Sequence, residues 1–321
     1  MKRTLTIIFS CLMIFLLVGP CFAVYQKDGY FSNDFIMSIP LSQSKVQLSA
    51  QIEYAYLNEI YTDTTGDDDY GFLPTQSSYS GVTATVIPLK VAYGLTDNVS
   101  VRLTVPFISW NEDSKDPTLN GPSQRGYGVG DARIEGLYQV AKETDSMPSV
   151  GINAGVKVAS GKNSRWARYP ELPQGTGSTD CYISGIFMKK MWGLTGKALL
   201  GYYYTGSTPY GGGSVLPGSA IISSIACAVP AGKMEYGAEI WGSFAGKDLM
   251  VPDNSVNYMA DYTEDTVMDL SPYINFKVSD DLTLKAVLDI PINPVGTISW
   301  ANNTLDNFRG VNLTLGANWM I

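Results

Sequence analysis

"GYGVGDARIEGLYQV", residues 126–140, is the stretch that decides how this chain folds. Three glycines precede an acid, as in loops that hold a nucleotide phosphate, but such a loop must open a helix. After Asp131, uncharged residues alternate with Arg133 and Glu135, and a period of two indicates a β-strand. We therefore predict a strand with one apolar and one polar face, and not a nucleotide site.

The same alternation recurs along the chain and predicts twelve strands in all. The other eleven apolar rows cover residues 46–56, 85–93, 99–107, 150–158, 181–187, 194–204, 221–229, 234–244, 268–278, 282–290 and 311–321. The weakest of these patterns is the row at 181–187, where Cys181, Ile183 and Phe187 oppose Asp180 and Ser184.

The connections between these strands alternate between long and short. The short ones read "GLTDN", "KETDSMP", "KKMWG", "PAGK" and "SDD", and the long ones cover about 58–80, 108–126, 160–178, 206–218, 245–265 and 293–309. This alternation is typical of outer-membrane barrels, which have short periplasmic turns and long outer loops. A soluble sandwich would not require it. Because lipid offers no hydrogen bonds to an open sheet edge, the sheet has to close. We predict an all-β fold, a closed up-and-down antiparallel transmembrane β-barrel of about 12 strands over residues 45–321.

The first 23 residues have the pattern of a cleaved secretory signal peptide. "MKRTLTIIFSCLMIFLLVGPCFA" combines a basic head, an apolar run and a small final residue. Residues 24–44 then form either a periplasmic extension or a plug that enters the barrel, and the sequence does not choose between them. The expected location is the outer membrane of a Gram-negative bacterium, in contact with lipid and lipopolysaccharide.

Charges within the predicted strands fall on one parity only. A Lys or Arg facing lipid near the midplane costs roughly 2–4 kcal/mol, so we expect the charged parity to line the lumen. The predicted lumen-lining residues are Glu53, Lys90, Arg102, Asp131, Arg133, Glu135, Lys157, Lys197, Glu235, Glu239, Asp269, Lys277, Lys285 and Asp289, with Asp180 on the same parity. Aromatic residues near strand ends predict interfacial girdles: Tyr93, Tyr138, Trp192, Tyr202, Tyr204, Tyr236 and Trp319. Prolines 88, 106, 272 and 291 interrupt strands that are paired on both sides, so we expect β-bulges there.

Composition argues against several classes of function. The chain has no histidine, and the serine nucleophiles and water-activating sites of membrane barrels usually need an imidazole. Removing residues 1–23 removes two of the 22 basic and none of the 30 acidic residues, leaving 20 − 30 = −10. That charge disfavours a nucleic-acid partner. We expect no enzymatic activity, no catalytic residue, no cofactor and no metal site.

Three segments carry a family resemblance: "VAYGLTDNVSVRLTVPF", "GYGVGDARIEGLYQV" and "GTGSTDCYISGIFMKK". With the "YGLTD" turn and the Gly-Asp strand opening, they resemble the transporter-like outer-membrane family of the meta-pathway of phenol degradation, from about residue 45 to the end. The resemblance implies uptake of aromatic or other hydrophobic compounds, but supplies no binding residues. A terminal aromatic is commoner in such barrels than Ile321, and Trp319 is a partial substitute.

Two functions follow from these patterns. The first is an outer-membrane channel or passive transporter for small solutes, with aromatic or hydrophobic ones among the candidates, through a polar lumen. The alternative is a structural or adhesive barrel whose internal charges fill the lumen. In the loop at 160–178, Arg165, Trp166, Arg168 and Tyr169 are candidate contacts for a substrate or for lipid. Oligomeric state is left open.

Overall fold

The computed structural model describes residues 40–62, 79–114, 125–162, 175–210, 213–216, 219–246, 249–252, 258–259, 266–292, 295–300, 303–309 and 311–321. The predicted signal peptide and nearly all of residues 24–44 therefore lie outside the described residues. Among the described residues, no helix is long and apolar enough to span a membrane.

Twelve strands form a closed antiparallel ring, which confirms the predicted fold class. In ring order they are β1 (Val46–Thr62), β2 (Tyr79–Thr96), β3 (Val99–Ser114), β5 (Ala132–Ala141), β6 (Ser149–Val158), β7 (Asp180–Met191), β8 (Leu194–Tyr204), β11 (Ala220–Ala231), β12 (Met234–Ala245), β15 (Thr266–Lys277), β16 (Leu282–Pro291) and β19 (Asn312–Met320). The ring closes where β1 pairs with both β2 and β19. Every one of these strands therefore has a neighbour on each side.

Seven shorter strands lie in segments predicted as loops or turns. They are β4 (Arg125–Val129), β9 (Thr208–Tyr210), β10 (Gly213–Leu216), β13 (Leu249–Pro252), β14 (Tyr258–Met259), β17 (Val295–Trp300) and β18 (Asn303–Arg309). A separate four-stranded sheet contains β9, β10, β13 and β14. β17 pairs with β18, and β18 pairs with the end of β1 that extends beyond its pairing with β19. The prediction that residues 206–218, 245–265 and 293–309 are loops was wrong for these parts, because short strands pair there outside the main ring.

All short connections lie at one end of the barrel, which we call the short-turn end; the opposite end is the long-loop end. At the short-turn end the two terminal strands join, since Val46 N donates to Ile321 O and Ile321 N donates to Val46 O. Trp192 and Gly193 link β7 to β8, and both have positive φ, as a type I′ turn requires. In the β15–β16 turn, Lys277 Nζ lies 3.0 Å from Asp280 Oδ1. This hydrogen bond and charge lower the pKa of the Asp280 carboxyl.

The apolar rows predicted to face outward do so. None of the side chains in these rows that the structure describes is buried, and the charged parity between them is buried or partly buried except at one rim position. Leu200 is 60% exposed, whereas its neighbour Leu199 is 4% exposed. The predicted girdle aromatics are all exposed near strand ends. Apolar side chains thus cover the outside of a sheet whose inside holds the ions, the reverse of a soluble barrel.

The prolines do not produce bulges in their own strands. In the β2–β3 ladder, Pro88 pairs directly with Pro106. In the β1–β2 ladder the pairs of Pro88 and Ile87 are missing, but the register is the same on either side of this gap. Pro272 likewise interrupts the β15–β16 ladder without a register shift. The bulge prediction was therefore wrong at these positions, because losing one N–H removes a rung without displacing the strand.

An extra residue does lie opposite Pro106, in the next strand. Phe107 pairs with Val129 but Thr104 pairs with Arg133, so β4 and β5 hold one residue more than β3 across the same span. Gly130 N donates to Pro106 O at this point. Gly126 and Gly128 belong to β4 and pair with Trp110 and Ile108 of β3. Only Gly130 marks an irregularity, a bulge within one continuous barrel strand.

Candidate functional site

The predicted lumen-lining side chains occupy the inward parity of the ring. Thirteen of them are buried or partly buried: Glu53, Lys90, Arg102, Asp131, Arg133, Glu135, Lys157, Lys197, Glu235, Glu239, Asp269, Lys285 and Asp289. The fourteenth, Lys277, lies at the short-turn rim and has a side chain that is 53% exposed. The interior therefore contains a dense set of ionisable groups in a wall whose outer surface is apolar.

The four candidate loop contacts Arg165, Trp166, Arg168 and Tyr169 lie outside the described residues. The structure describes the chain on either side of them, up to Lys162 and from Gly175. Those flanking residues take part in the network described next.

Near the long-loop end, Lys157 stands between two buried carboxylates. Its Nζ lies 2.6 Å from Asp180 Oδ2 and 3.7 Å from Asp131 Oδ2, and it donates to Thr176 Oγ1 at 2.6 Å. Asp180 also accepts hydrogen bonds from Tyr203 OH and from the backbone N of Gly206. These several partners stabilise the buried Asp180 carboxylate.

Asp131 holds the two flanks of the 163–174 segment together. Its Oδ1 accepts from Gly161 N at 2.8 Å, and its Oδ2 accepts from Thr176 N at 2.8 Å and Thr176 Oγ1 at 3.0 Å. The glycine at 175 permits this approach, because a Cβ there would lie 2.5 Å from Asp131 Oδ1. The acid that follows the glycines in the opening stretch therefore binds backbone N–H groups of its own chain.

Between β3 and β5, Arg102 and Glu135 are direct cross-strand neighbours. They form an ion pair, and Tyr182 OH donates to the other oxygen of the same carboxylate. Asp289 accepts from Ser271 Oγ, and Glu235 accepts from Asn275 Nδ2 at 2.9 Å. These contacts join neighbouring strands and give several of the interior charged groups a protein partner. Such pairing is what a filled lumen would require.

A cavity of about 260 Å³ remains toward the short-turn end. Its charged lining consists of Lys90, Arg102, Lys197, Lys285 and Glu239. The remaining lining is mostly amide and hydroxyl side chains: Gln47, Ser49, Gln51, Asn275, Thr283, Asn318 and Tyr273, with Ala92. Bases predominate at this level, whereas Asp131 and Asp180 lie at the long-loop end. The alternation of side chains in the sequence predicts which ionisable residues face inward, but not how they separate along the barrel axis.

One wall of the interior is apolar, which the sequence reasoning missed. A cluster of buried side chains lies on the inward parity of β5, β7, β8, β11 and β12: Leu137, Tyr182, Ile186, Leu199, Tyr203, Ala220, Ile222 and Trp241. The rings of Tyr182 and Tyr203 stack with centroids 6.2 Å apart. Ile186 and Leu199 on the otherwise polar parity were the available signal. The interior therefore offers both charged and apolar surface.

Within the ranges that the structure describes, no group of three or more Cys, Asp or Glu side chains has metal-binding geometry. Cys181 and Cys227 are both free and lie on the outward face. What the side chains offer is charge, hydrogen bonding and apolar contact.

Comparison with known proteins relates the fold to outer-membrane channels. No protein-family model matches this chain, and no curated protein matches it. Among solved structures, an outer membrane channel from Pseudomonas putida F1 is similar with a TM-score of 0.64 at 9% identity, covering 89% of this chain and 98% of that one. A Pseudomonas aeruginosa FadL homologue has a TM-score of 0.44 at 10% identity, covering 86% of this chain and 90% of that one. The first likeness shows a shared barrel fold. The predicted membership of the phenol-degradation family stays a prediction.

Proposed function

We propose that this protein is a passive channel for small solutes in the outer membrane of a Gram-negative bacterium. The observation that carries the proposal is the inversion of the barrel: apolar side chains outside, ion pairs and a polar cavity inside. Burying this many charges is costly in a protein without a hydrated interior. A water-containing path through a lipid-embedded barrel gives them a reason to be there.

Several observations support the outer membrane as the location. The exposed aromatics Tyr93, Tyr138 and Trp319 lie near the short-turn end, and Tyr202 and Tyr204 near the long-loop end, as two interfacial girdles would. One solved structure with the same barrel fold is an outer membrane channel. In this location the outward rows contact lipid, and the long loops face lipopolysaccharide.

Aromatic or hydrophobic compounds are the solute class that we favour. The family resemblance of the sequence motifs implies such solutes, and the buried cluster around Tyr203 and Trp241 gives the interior an apolar wall. Arg165, Trp166, Arg168 and Tyr169 would meet a solute or lipid at the outer entrance. Replacing Arg165 and Arg168 with Ala tests this role, since unchanged flux for every aromatic acid tried would remove it.

Residues 24–44 are proposed to enter the barrel as a plug, after removal of a signal peptide at residues 1–23. Leu41 and Ser42 support this reading, because their carbonyl oxygens would clash with a Cβ at Gly94, an inward position of β2. Ser44 N donates to Gly94 O and has a φ of 65°, so the chain turns sharply before β1 begins. The described chain before β1 thus lies on the inner side of the barrel wall.

A structural or adhesive barrel is the second candidate. The Lys157–Asp180 pair and the apolar cluster support it, because both fill interior space with protein groups. The two candidates differ in one property, which is the passage of solute.

Single-channel recording and liposome swelling with purified protein test the proposal. We expect discrete conductance steps and faster swelling in a small neutral sugar than for protein-free liposomes. A matched preparation of heat-unfolded protein controls for leakage. Correctly inserted barrel without conductance and without flux of any solute would reject the channel and favour the filled barrel.

A further inference from the structure

We infer that the cavity at the short-turn end is an anion site, suited to small organic carboxylates. The protein as a whole is acidic, with a formal net charge of −8, yet the cavity is lined by four basic side chains and one acid. The net negative charge of the protein does not predict an anion site. The local lining therefore has the opposite sign to the rest of the molecule.

The excess of positive charge survives a conservative count. Arg102 pairs with Glu135, which does not line the cavity, so its charge is largely neutralised. Lys90, Lys197 and Lys285 line the cavity with Glu239, and Glu235, which accepts a hydrogen bond from the lining residue Asn275, also attracts Lys197 and Lys285. Asp269, Glu53 and Asp289 lie further along the axis and are not part of the lining, although Glu53 and Asp289 also attract Lys285.

Two of these lysines are available to a ligand. Within the part of the chain that the structure describes, the Nζ atoms of Lys197 and Lys285 form no hydrogen bond and no ion pair. Lys285 Nζ instead lies 5.9 Å from the centroid of the Tyr273 ring. An ammonium group in a confined, partly desolvated cavity attracts an anion more strongly than it would in bulk water.

The neutral lining is also suited to a carboxylate. Gln47, Asn275 and Asn318 carry amide N–H donors, and Ser49 and Thr283 carry hydroxyl donors. A carboxylate has two oxygens that accept several hydrogen bonds, and charge-assisted bonds to Lys are the strong ones. At about 260 Å³ the cavity lies below the usual range for drug-sized ligands, which restricts the site to small molecules.

This inference deepens the proposed function, because an anion site on the path would make the channel prefer anions. Binding and passage are nevertheless separate properties. We therefore choose one experiment for each, so that the anion site and the channel can fail independently.

Binding is measured by ¹⁹F NMR on the folded, detergent-solubilised mature chain with 4-fluorobenzoate, and with 4-fluorobenzylammonium as the matched cation. We expect saturable broadening of the benzoate resonance only. The double variant Lys197→Gln/Lys285→Gln should weaken benzoate binding about tenfold or more, whereas Lys285→Arg, which keeps the charge, should retain it. Glu239→Gln should tighten binding. Lys233→Gln removes one positive charge at an exposed turn and should change nothing.

Equal binding of the ammonium compound, or unchanged benzoate binding in the folded double variant, would overturn the anion site. Reversal potentials in a KCl gradient then measure passage: we expect a preference for Cl⁻ over K⁺ that falls in the double variant and rises in Glu239→Gln. Conductance with no benzoate binding would leave the channel standing and reject the anion site. Benzoate binding without conductance would support the anion site and reject the channel.

Discussion

Lys157 Nζ lies 2.6 Å from Asp180 Oδ2, and both side chains are almost fully buried inside the barrel wall. The pair joins β6 to β7 as direct cross-strand neighbours. Charges placed so deep are stable only while each has its partner, so the interior of this barrel is organised by pairing at the long-loop end. At the short-turn end the bases instead face a cavity.

Replacing Lys157 with Met should destabilise the barrel by about 3–5 kcal/mol, because the Asp180 carboxylate would be left buried without its cation. The free energy of unfolding in urea, followed by tryptophan fluorescence in lipid vesicles, measures this. Lys277→Gln breaks the exposed pair with Asp280 and should leave the unfolding free energy nearly unchanged. Equal effects of the two substitutions would contradict the pairing of buried charges at the long-loop end.

Replacing Leu200 with Arg should cost roughly 2–4 kcal/mol in a bilayer, since this outward side chain would contact hydrocarbon near mid-strand. The same vesicle unfolding measurement applies, and Lys233→Arg at an exposed turn is the control. In a soluble protein an Arg at a position that is 60% exposed would be harmless. A neutral effect in vesicles would therefore count against lipid contact at this position.

Gly175→Ala should destabilise by about 1–3 kcal/mol, because its Cβ would push Asp131 away from buried hydrogen-bond donors. Gly136→Ala is the matched control: a Cβ there meets nothing within 4 Å, so stability should be unchanged or slightly higher. Thermal stability from the heat-dependent gel mobility of the folded barrel separates the two. Equal melting temperatures for both variants would show that Asp131 does not depend on this close approach.

Removal of residues 24–41 should raise single-channel conductance if they form the proposed plug, because Leu41 and Ser42 at its end lie on the inner side of β2 beside Gly94. Gly94→Ala, which puts a Cβ against the Leu41 and Ser42 carbonyls, should loosen the same segment and increase current noise. Planar bilayer recordings measure both effects. Identical conductance for the shortened and full mature chains would place this segment outside the path.

Alternation of side chains was enough to predict the ring and its inward and outward faces. In β1 the side chains follow the alternation of the sequence: Ile52 and Tyr54 face outward, whereas Gln51 and Glu53 are buried. A charge placed in lipid costs more free energy than the local conformational preference of a residue can offset. The short strands β9, β10, β13 and β14 were not predictable in this way. They hold two to four residues each, too few to establish a period.

The arrangement inside the barrel depended on register, which the sequence does not state. Arg102 meets Glu135 only because β3 and β5 pair with the offset that the bulge opposite Pro106 leaves. Likewise, Lys90, Lys197 and Lys285 lie on three strands far apart in sequence, and only closure of the ring gathers them around one cavity. Parity predicted that these residues share a face but not which of them meet.

Reactivity of Cys227 tests most directly whether hydrocarbon surrounds this barrel. Its side chain is free and exposed on the outward face of β11, four residues before the strand ends. In the mature chain carrying Cys181→Ala, reconstituted in lipid vesicles, we expect no labelling by a charged, membrane-impermeant maleimide until the barrel is unfolded. We also expect an uncharged bimane attached at this site to be quenched by lipids brominated in their acyl chains. Rapid labelling of folded protein in vesicles, at the rate of an exposed thiol in water, would contradict the account.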